Sequence, residues 1–215
     1  MKAAIDNDIL FKGACYGLLT ELVATVCSSG ETVGILGSAR FVVVKKIEKN
    51  RFLRNRAAAL ATLSQFLKRS EALEPTKNEQ NMAADLELAA QRLGINLDSG
   101  ESQLCAMLVV RVLPLLLTGD KRAIMAMEKL IDADNRLIAL CGKVRCLEQL
   151  VYNALMNGDH TVLRSAICAE PEADKTLAIC FSCTSHSVVL ASIVEGLQSY
   201  VKALRSEAAR VLSST

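Results

Sequence analysis

The segment from Lys2 to Cys27, KAAIDNDILFKGACYGLLTELVATVC, decides how the chain begins to fold. Lys2 to Ile5 is a short apolar run closed by Asp6-Asn7-Asp8. Beyond it Leu10, Ala14, Leu18, Leu22 and Val26 recur at four-residue steps, which is the stripe of a helix over Ile9 to Cys27. The stretch reads as strand, acidic turn, helix. Ser28-Ser29-Gly30 stops that helix, and Thr32 to Leu36 is a second strand ended by Gly37-Ser38. Phe41 to Val44 is β-branched enough for a strand, yet Ser38 can cap a helix from Ala39 to about Glu48, and the helix is preferred.

Further along, Arg51 to Lys68 is rich in Ala and Leu without Gly or Pro and reads as helix, after which Leu73-Glu74-Pro75 leads to the next element. Thr76-x-x-Glu79 is a capping-box pattern opening a helix with Met82, Leu86, Ala89 and Leu93 on one face, ended by Gly94. Another helix is expected over Glu101 to Arg111. Val112 to Leu117 then has the continuous apolar character of a strand buried on both faces, ending at Thr118-Gly119-Asp120, where a further helix starts. Alternating strands and helices to about residue 130 imply an α/β fold with a mostly parallel sheet.

From Asp132 onward only helices are expected. One would carry Leu137, Leu140, Val144, Leu147, Val151 and Leu155 on a face. The last would present Leu190, Val194, Leu197, Val201, Leu204, Ala208 and Val211 as a packing seam. The expected organisation is therefore a sheet domain over 1–131 and a helical extension over 132–215, packed on the sheet domain or on a second copy of the chain as a homodimer.

Composition bounds the function. With 51% hydrophobic residues among 215, the chain can bury a large core and is not disordered. A formal charge of +2 gives no overall field for nucleic acid or membrane, so a polyanion site needs a local cluster. The acids Asp6 and Asp8 interrupt what an export signal would need, and Arg111 and Pro114 break the longest apolar run, Leu104 to Leu117. A soluble protein without membrane contact is expected. The eight Cys are irregularly spaced and mostly apolar in context, like buried thiols of a reducing cytoplasm.

Three acids stand where a parallel sheet would gather them: Asp6 after the first strand, Glu101 opening the helix before the last strand, and Asp120 after that strand. Carboxyl-terminal strand ends share one edge, and ligands bind there at the point where strand order reverses. Carboxylates crowded in one cleft raise one another's pKa unless a cation neutralises them, and the oxygen-seeking Mg²⁺ or Mn²⁺ suits such a set. Each acid also has a local role to offer: Asp6 and Asp8 can cap the first helix, Asp98-x-x-Glu101 resembles a helix cap, and Asp120 is favourable in a first turn.

IDNDILFKGACYGLL at residues 5–19, LDSGESQLCAML at 97–108 and LLLTGDKRAI at 115–124 together resemble the PIN domain, over about residues 1–130. That resemblance implies a three-layer α/β/α fold and a Mg²⁺- or Mn²⁺-dependent endoribonuclease cutting single-stranded RNA. It places catalytic and metal-holding roles on Asp6, Glu101 and Asp120, with Thr118 at the family's hydroxyl position. Asp98 would join the metal ligands, and Asn7 and Asp8 would support them. The pattern departs at one place: an acid expected early in the second helix is replaced by Gly37-Ser38-Ala39-Arg40, leaving Glu48, Glu21 and Asp98 as candidates for it. A PIN-like fold kept for binding RNA or protein is the alternative.

Arg40 to Arg56 holds seven basic residues against the single acid Glu48, the one cationic concentration in the chain. Arg40, Lys45, Lys46 and Lys49, with Lys121 beside Asp120, are candidates for phosphate contact; a solvated helix face is the plainer reading. Phe41 and Phe52 are the only aromatics there. Cys180-x2-Cys183-x2-His186 offers zinc-ligand chemistry, but one tight pair is a weak signal and buried thiols are preferred.

Overall fold

The computed structural model describes residues 1–28 and 30–214. Five strands form one all-parallel sheet: β1 (Ala3–Ile5), β2 (Val33–Leu36), β3 (Glu71–Leu73), β4 (Leu116–Thr118) and β5 (Val144–Cys146), in the order β3-β2-β1-β4-β5. The chain thus runs outward from β1 through β2 to β3, then returns to place β4 on the other side of β1. Strand order reverses between β1 and β4, where Ala4 pairs with Leu116 and Ile5 with Leu117. Ala3, Ala4, Ile5, Leu116 and Leu117 are buried without alternation, compatible with helices on both sides of the sheet. The fold is α/β as expected, and fully parallel.

The first expected helix is two. Gly17 takes a left-handed φ of 69°, its N–H returns to the carbonyl of Ala14, and the chain divides into α1 (Asn7–Tyr16) and α2 (Leu19–Ala24). A helix, α3 (Ala39–Lys49), follows β2 as preferred. The next, α4 (Arg56–Leu67), starts five residues later than read, because Asn55 caps it and residues 50–55 form a turn. Before α5 (Lys77–Arg92) lies β3, which the sequence reading missed: Glu-Ala-Leu is three residues long and buries only Leu73. Thr76 and Glu79 form the expected capping box.

The helix α6 (Ser99–Val110) ends through Val112, at φ 52°, with the Leu113 N–H closing on Leu108 at 3.0 Å. This closure and Pro114 move the start of the expected strand Val112–Leu117 to Leu116, and β4 runs one residue further, taking in Thr118, before α7 (Lys121–Leu130) begins.

Beyond Asp132 the expectation of helices alone is overturned by β5, which pairs with β4 and completes the sheet. Leu137, Leu140, Val144, Leu147, Val151 and Leu155 are all buried, but not on one helix. A 3-10 segment, Asn135–Leu140, holds the first two, β5 the third, and α8 (Leu147–Asn157) the rest, with Gly142 at φ 70° making the break. Then follow α9 (His160–Ala169), α10 (Lys175–Cys180) and α11 (Leu190–Glu207). On α11 the buried residues are Ile193, Leu197 and Leu204, while Leu190 is exposed and Val194 and Val201 are half-buried. The expected seam is therefore rotated, and α11 lies within the chain against α7, α8 and α10.

Residues 210–213 cover the free edge of β5. The Val144 N–H donates to Val211 at 3.0 Å and the Ser213 N–H to Val144 at 2.7 Å. Cys168 and Cys183 are joined in a disulfide, which corrects the reading of eight free thiols and takes Cys183 from the zinc motif. Among the described residues no helix is long and apolar enough to cross a membrane.

Candidate functional site

The switch between β1 and β4 sets the site. Asp6 follows β1 and caps α1, taking the Asn7 N–H on Oδ1 at 2.7 Å. Its Oδ2 accepts from the hydroxyl of Thr118 on β4 at 3.0 Å, and Thr118 Oγ1 in turn accepts the Asp120 N–H at 3.2 Å. Asp120 caps α7 by accepting the N–H groups of Arg122 and Ala123. On the third element, Asp98 and Glu101 form a reciprocal capping box at the start of α6, with contacts of 2.8 and 2.9 Å. The helix start is brought over the strand ends at Gly100, where a Cβ would lie 3.8 Å from Leu36 and 3.9 Å from Asn7 Nδ2.

Asp6, Asp98, Glu101 and Asp120 act on each other electrostatically. Burial, then the Asp8 charge, with Asp98 adding, pushes Asp6 up to about 6 against the opposing bonds from Thr118 and Asn7. Burial pushes Glu101 up to about 7, with Asp98, Asp120 and Asp6 adding and the Asp98 N–H opposing. Burial also acts on Asp120, but the Arg122 guanidinium at 2.8 Å and the capping N–H groups together outweigh it, and its pKa is lowered. Two acids thus remain buried without a cation, while Asp120 has one.

Asp8 behaves differently. Lys12 holds it at 2.5 Å and Lys46 at 3.3 Å, and it packs against Gly119, where a Cβ would stand 2.5 Å from its Oδ2. Lys12 was missed at the sequence level, although its i,i+4 spacing from Asp8 was a usable signal. Asp174, which caps α10 and pairs with Lys12 at 2.7 Å, carried no sequence signal. Glu74 was also missed, because β3 was: its carboxylate lies over Gly37 at the end of β2, where a Cβ would collide with it. Among the candidates for the missing acid, Asp98 joins the cluster. Glu48 is exposed on α3, and Glu21 lines a separate groove with Leu18, Asp159 and Leu163.

Among the described residues no group of three or more His, Cys, Asp or Glu side chains is arranged to hold a metal ion. The donor chemistry nevertheless fits Mg²⁺ or Mn²⁺. Among the described residues Asp6 and Glu101 are hard oxygen donors with no cationic partner and Asn7 Oδ1 is a buried acceptor without a hydrogen bond, and Mg²⁺ commonly takes one or two carboxylates with waters and substrate oxygens. A cleft of about 450 Å³ is lined by Glu101 with Asp98, Asp120, Arg122, Ile95 and Leu97, while Asp6 lies outside its lining.

Among the cations, Arg40 lies over the Phe41 ring at 4.7 Å. Lys46 bridges Asp8 and the Phe11 ring, 4.4 Å to its centroid, which sets the basic helix α3 directly against the acidic edge. Lys45 and Lys49 line an open groove with Val42 and Phe52. Lys121 points its ammonium at the buried Glu148, 2.7 Å away, with Thr176 and the Tyr200 ring beside it.

No protein-family model matches the chain, and no curated protein and no solved structure matches it either.

Proposed function

We propose that the protein is a PIN-like endoribonuclease that uses Mg²⁺ or Mn²⁺ to hydrolyse phosphodiester bonds of single-stranded RNA. The observation that carries this reading is the buried pair Asp6 and Glu101, raised to about 6 and about 7 at the strand-order switch and flanked by the basic helix α3. Charge crowded without a counter-ion is what a cation site looks like before its ion arrives.

Asp6 and Glu101 would hold the ion, with Asp98 and Asp120 at its margin. Bound there, it supplies a Lewis acid for a phosphoryl oxygen and a water of lowered pKa. Thr118 fixes Asp6 by donating to Oδ2. Glu101 Oε2 accepts the Asp98 N–H, so Oε1 is the atom left that would hold the ion. Arg122 lines the cleft with its guanidinium largely exposed, suited to a phosphate, and Lys45, Lys46 and Lys49 line a second groove along α3 where the RNA backbone would continue. No protein side chain needs to be the nucleophile.

A non-catalytic binding module on the same fold is the second reading, favoured by Arg122 neutralising Asp120. The test is cleavage of a labelled single-stranded RNA with Mn²⁺, comparing wild type with Asp120→Asn, a variant that keeps a good helix cap. Cleavage lost in both the variant and EDTA supports the nuclease. Cleavage equal in wild type and variant and indifferent to EDTA marks a contaminating nuclease, and that outcome, or no cleavage at any metal concentration, moves the assignment to the binding module.

A further inference from the structure

We propose that Phe52, with Lys45 and Lys49 beside it, is a stacking platform that grips single-stranded nucleic acid outside the acidic cluster. It deepens the nuclease reading, and rests on it only for the strand's course onward to Asp6.

Phe52 is 72% exposed, the most exposed aromatic of the chain together with Phe41 at 65%. An exposed Phe on a loose loop would mean little, but this turn is built. Asn50 Oδ1 accepts the Phe52 N–H at 2.9 Å, and the Asn50 carbonyl accepts from Arg56 Nε at 2.8 Å. Glu170, itself 4% exposed, accepts the N–H groups of Arg54 and Asn55 at 2.9 and 2.6 Å, and Leu53 is buried as the anchor between them. The turn therefore holds the ring outward at little further entropic cost on binding.

The groove in front of the ring, about 660 Å³, is lined by Val42, Lys45, Lys46, Lys49, Arg51 and Phe52, with no acid among them. Lys45 and Lys49 have no ion-pair partner among the described residues. Phe41 already carries Arg40 on its face, whereas Phe52 carries no cation among the described residues and is 72% exposed. An apolar floor, an exposed aromatic face and unpaired lysines complement a polyanion that has flat apolar faces of its own, which is single-stranded nucleic acid. A duplex hides its base faces, and an acidic peptide offers charge without the planar groups. Lys46 links the groove to Asp8, two residues from Asp6, so one strand can meet both.

The test is anisotropy with the full chain in EDTA, using labelled oligo-rU and oligo-dT of about 12 nucleotides, an abasic strand of equal length, the matching duplex and polyglutamate. Phe52→Ala should weaken oligo-rU binding roughly 10-fold with an unchanged melting temperature, Phe52→Tyr should restore it, and the abasic strand should not sense either change. Lys49→Ala should weaken every strand and lower the salt slope by about 1. Oligo-dT with the same Phe52 dependence assigns the platform to single strands of either sugar, and dependence for oligo-rU alone assigns it to RNA. Equal binding of oligo-rU by wild type and Phe52→Ala overturns the proposal. So does polyglutamate binding that is as tight and as dependent on Phe52, which would make the groove a protein-docking site. Mn²⁺ cleavage by the same proteins separates the two readings: Phe52-dependent binding without cleavage removes the nuclease alone, and cleavage with Phe52-independent binding removes the platform alone.

Discussion

Asp174, at the start of α10, pairs with Lys12 of α1 at 2.7 Å, and the same ammonium holds Asp8 at 2.5 Å. The C-terminal half of the chain thus supplies a charge at the acidic edge. Lys12 is only 14% exposed in its side chain, and the two carboxylates keep it protonated: burial acts to lower its pKa, but the Asp8 and Asp174 charges and hydrogen bonds outweigh that effect. Asp174→Asn retains a helix cap for the Leu177 N–H while removing the charge. It should destabilise the protein by about 1–3 kcal/mol in urea melts, since it leaves a poorly hydrated ammonium with one partner. Combined with Lys12→Met, Asp174→Asn should cost less than the sum of the two single losses, and a double variant equal to that sum or worse would disprove the coupling.

Glu101 sets a pH dependence of the opposite sign to most acids. Its folded pKa, about 7, lies above the ordinary 4.5, so the folded state binds its proton more tightly than the unfolded state does. Stability should be full below about pH 4.5, fall as pH rises through about 7, and carry the whole penalty above that. Asp6 adds the same trend up to about pH 6. Glu101→Gln keeps an acceptor for the Asp98 N–H and should gain about 1–3 kcal/mol at pH 8 with little gain at pH 4. Thermal melts at the two pH values decide it; a variant less stable at pH 8 would contradict the buried charge.

If a divalent ion occupies this pair, millimolar Mn²⁺ should raise the wild-type melting temperature at pH 8 and leave Glu101→Gln nearly unmoved. Calorimetry with and without Mn²⁺ reads it directly. An equal shift in both proteins would place any ion elsewhere.

Glu79 behaves as the conventional case. Arg111 clamps both its oxygens at 2.6 and 2.8 Å, and that pairing, against burial and with help from Thr76, holds its pKa at about 2. The stabilisation is complete above the ordinary 4.5 and is lost as pH falls through about 2. Glu79→Gln should cost about 3 kcal/mol at pH 7, with the difference from wild type vanishing toward pH 2. Urea titrations across that range test it.

Glu128 on α7 accepts the N–H groups of Arg210 and Val211, both at 3.0 Å, and so holds the segment that covers β5. Glu128→Ala should lower stability by about 2 kcal/mol and expose the β5 edge to faster hydrogen exchange at Val144. Unchanged exchange there would mean that the backbone bonds of Val144 with Val211 and Ser213 hold the edge without Glu128.

The sequence by itself determined the strands β1, β2 and β4, the helix α3 with its basic residues, both capping boxes opening α5 and α6, and the positions of Asp6, Glu101 and Asp120 at strand or helix ends. These are local matters: apolar runs, caps and glycines act within a few residues and leave a pattern in the chain. Tertiary structure decided the rest. β3 and β5 are three residues each and become strands only because β2 and β4 offer them an open edge, so no periodicity announces them. Six apolar residues from Leu137 to Leu155 were all correctly buried, yet three elements share them, since burial records distance from water and not the path of the backbone. Asp8 takes Lys46 from 38 residues away, Phe52's turn takes Glu170 from 116 residues away at Arg54, and Lys12 takes Asp174 from the C-terminal half, and only the folded chain can bring such distant charges together.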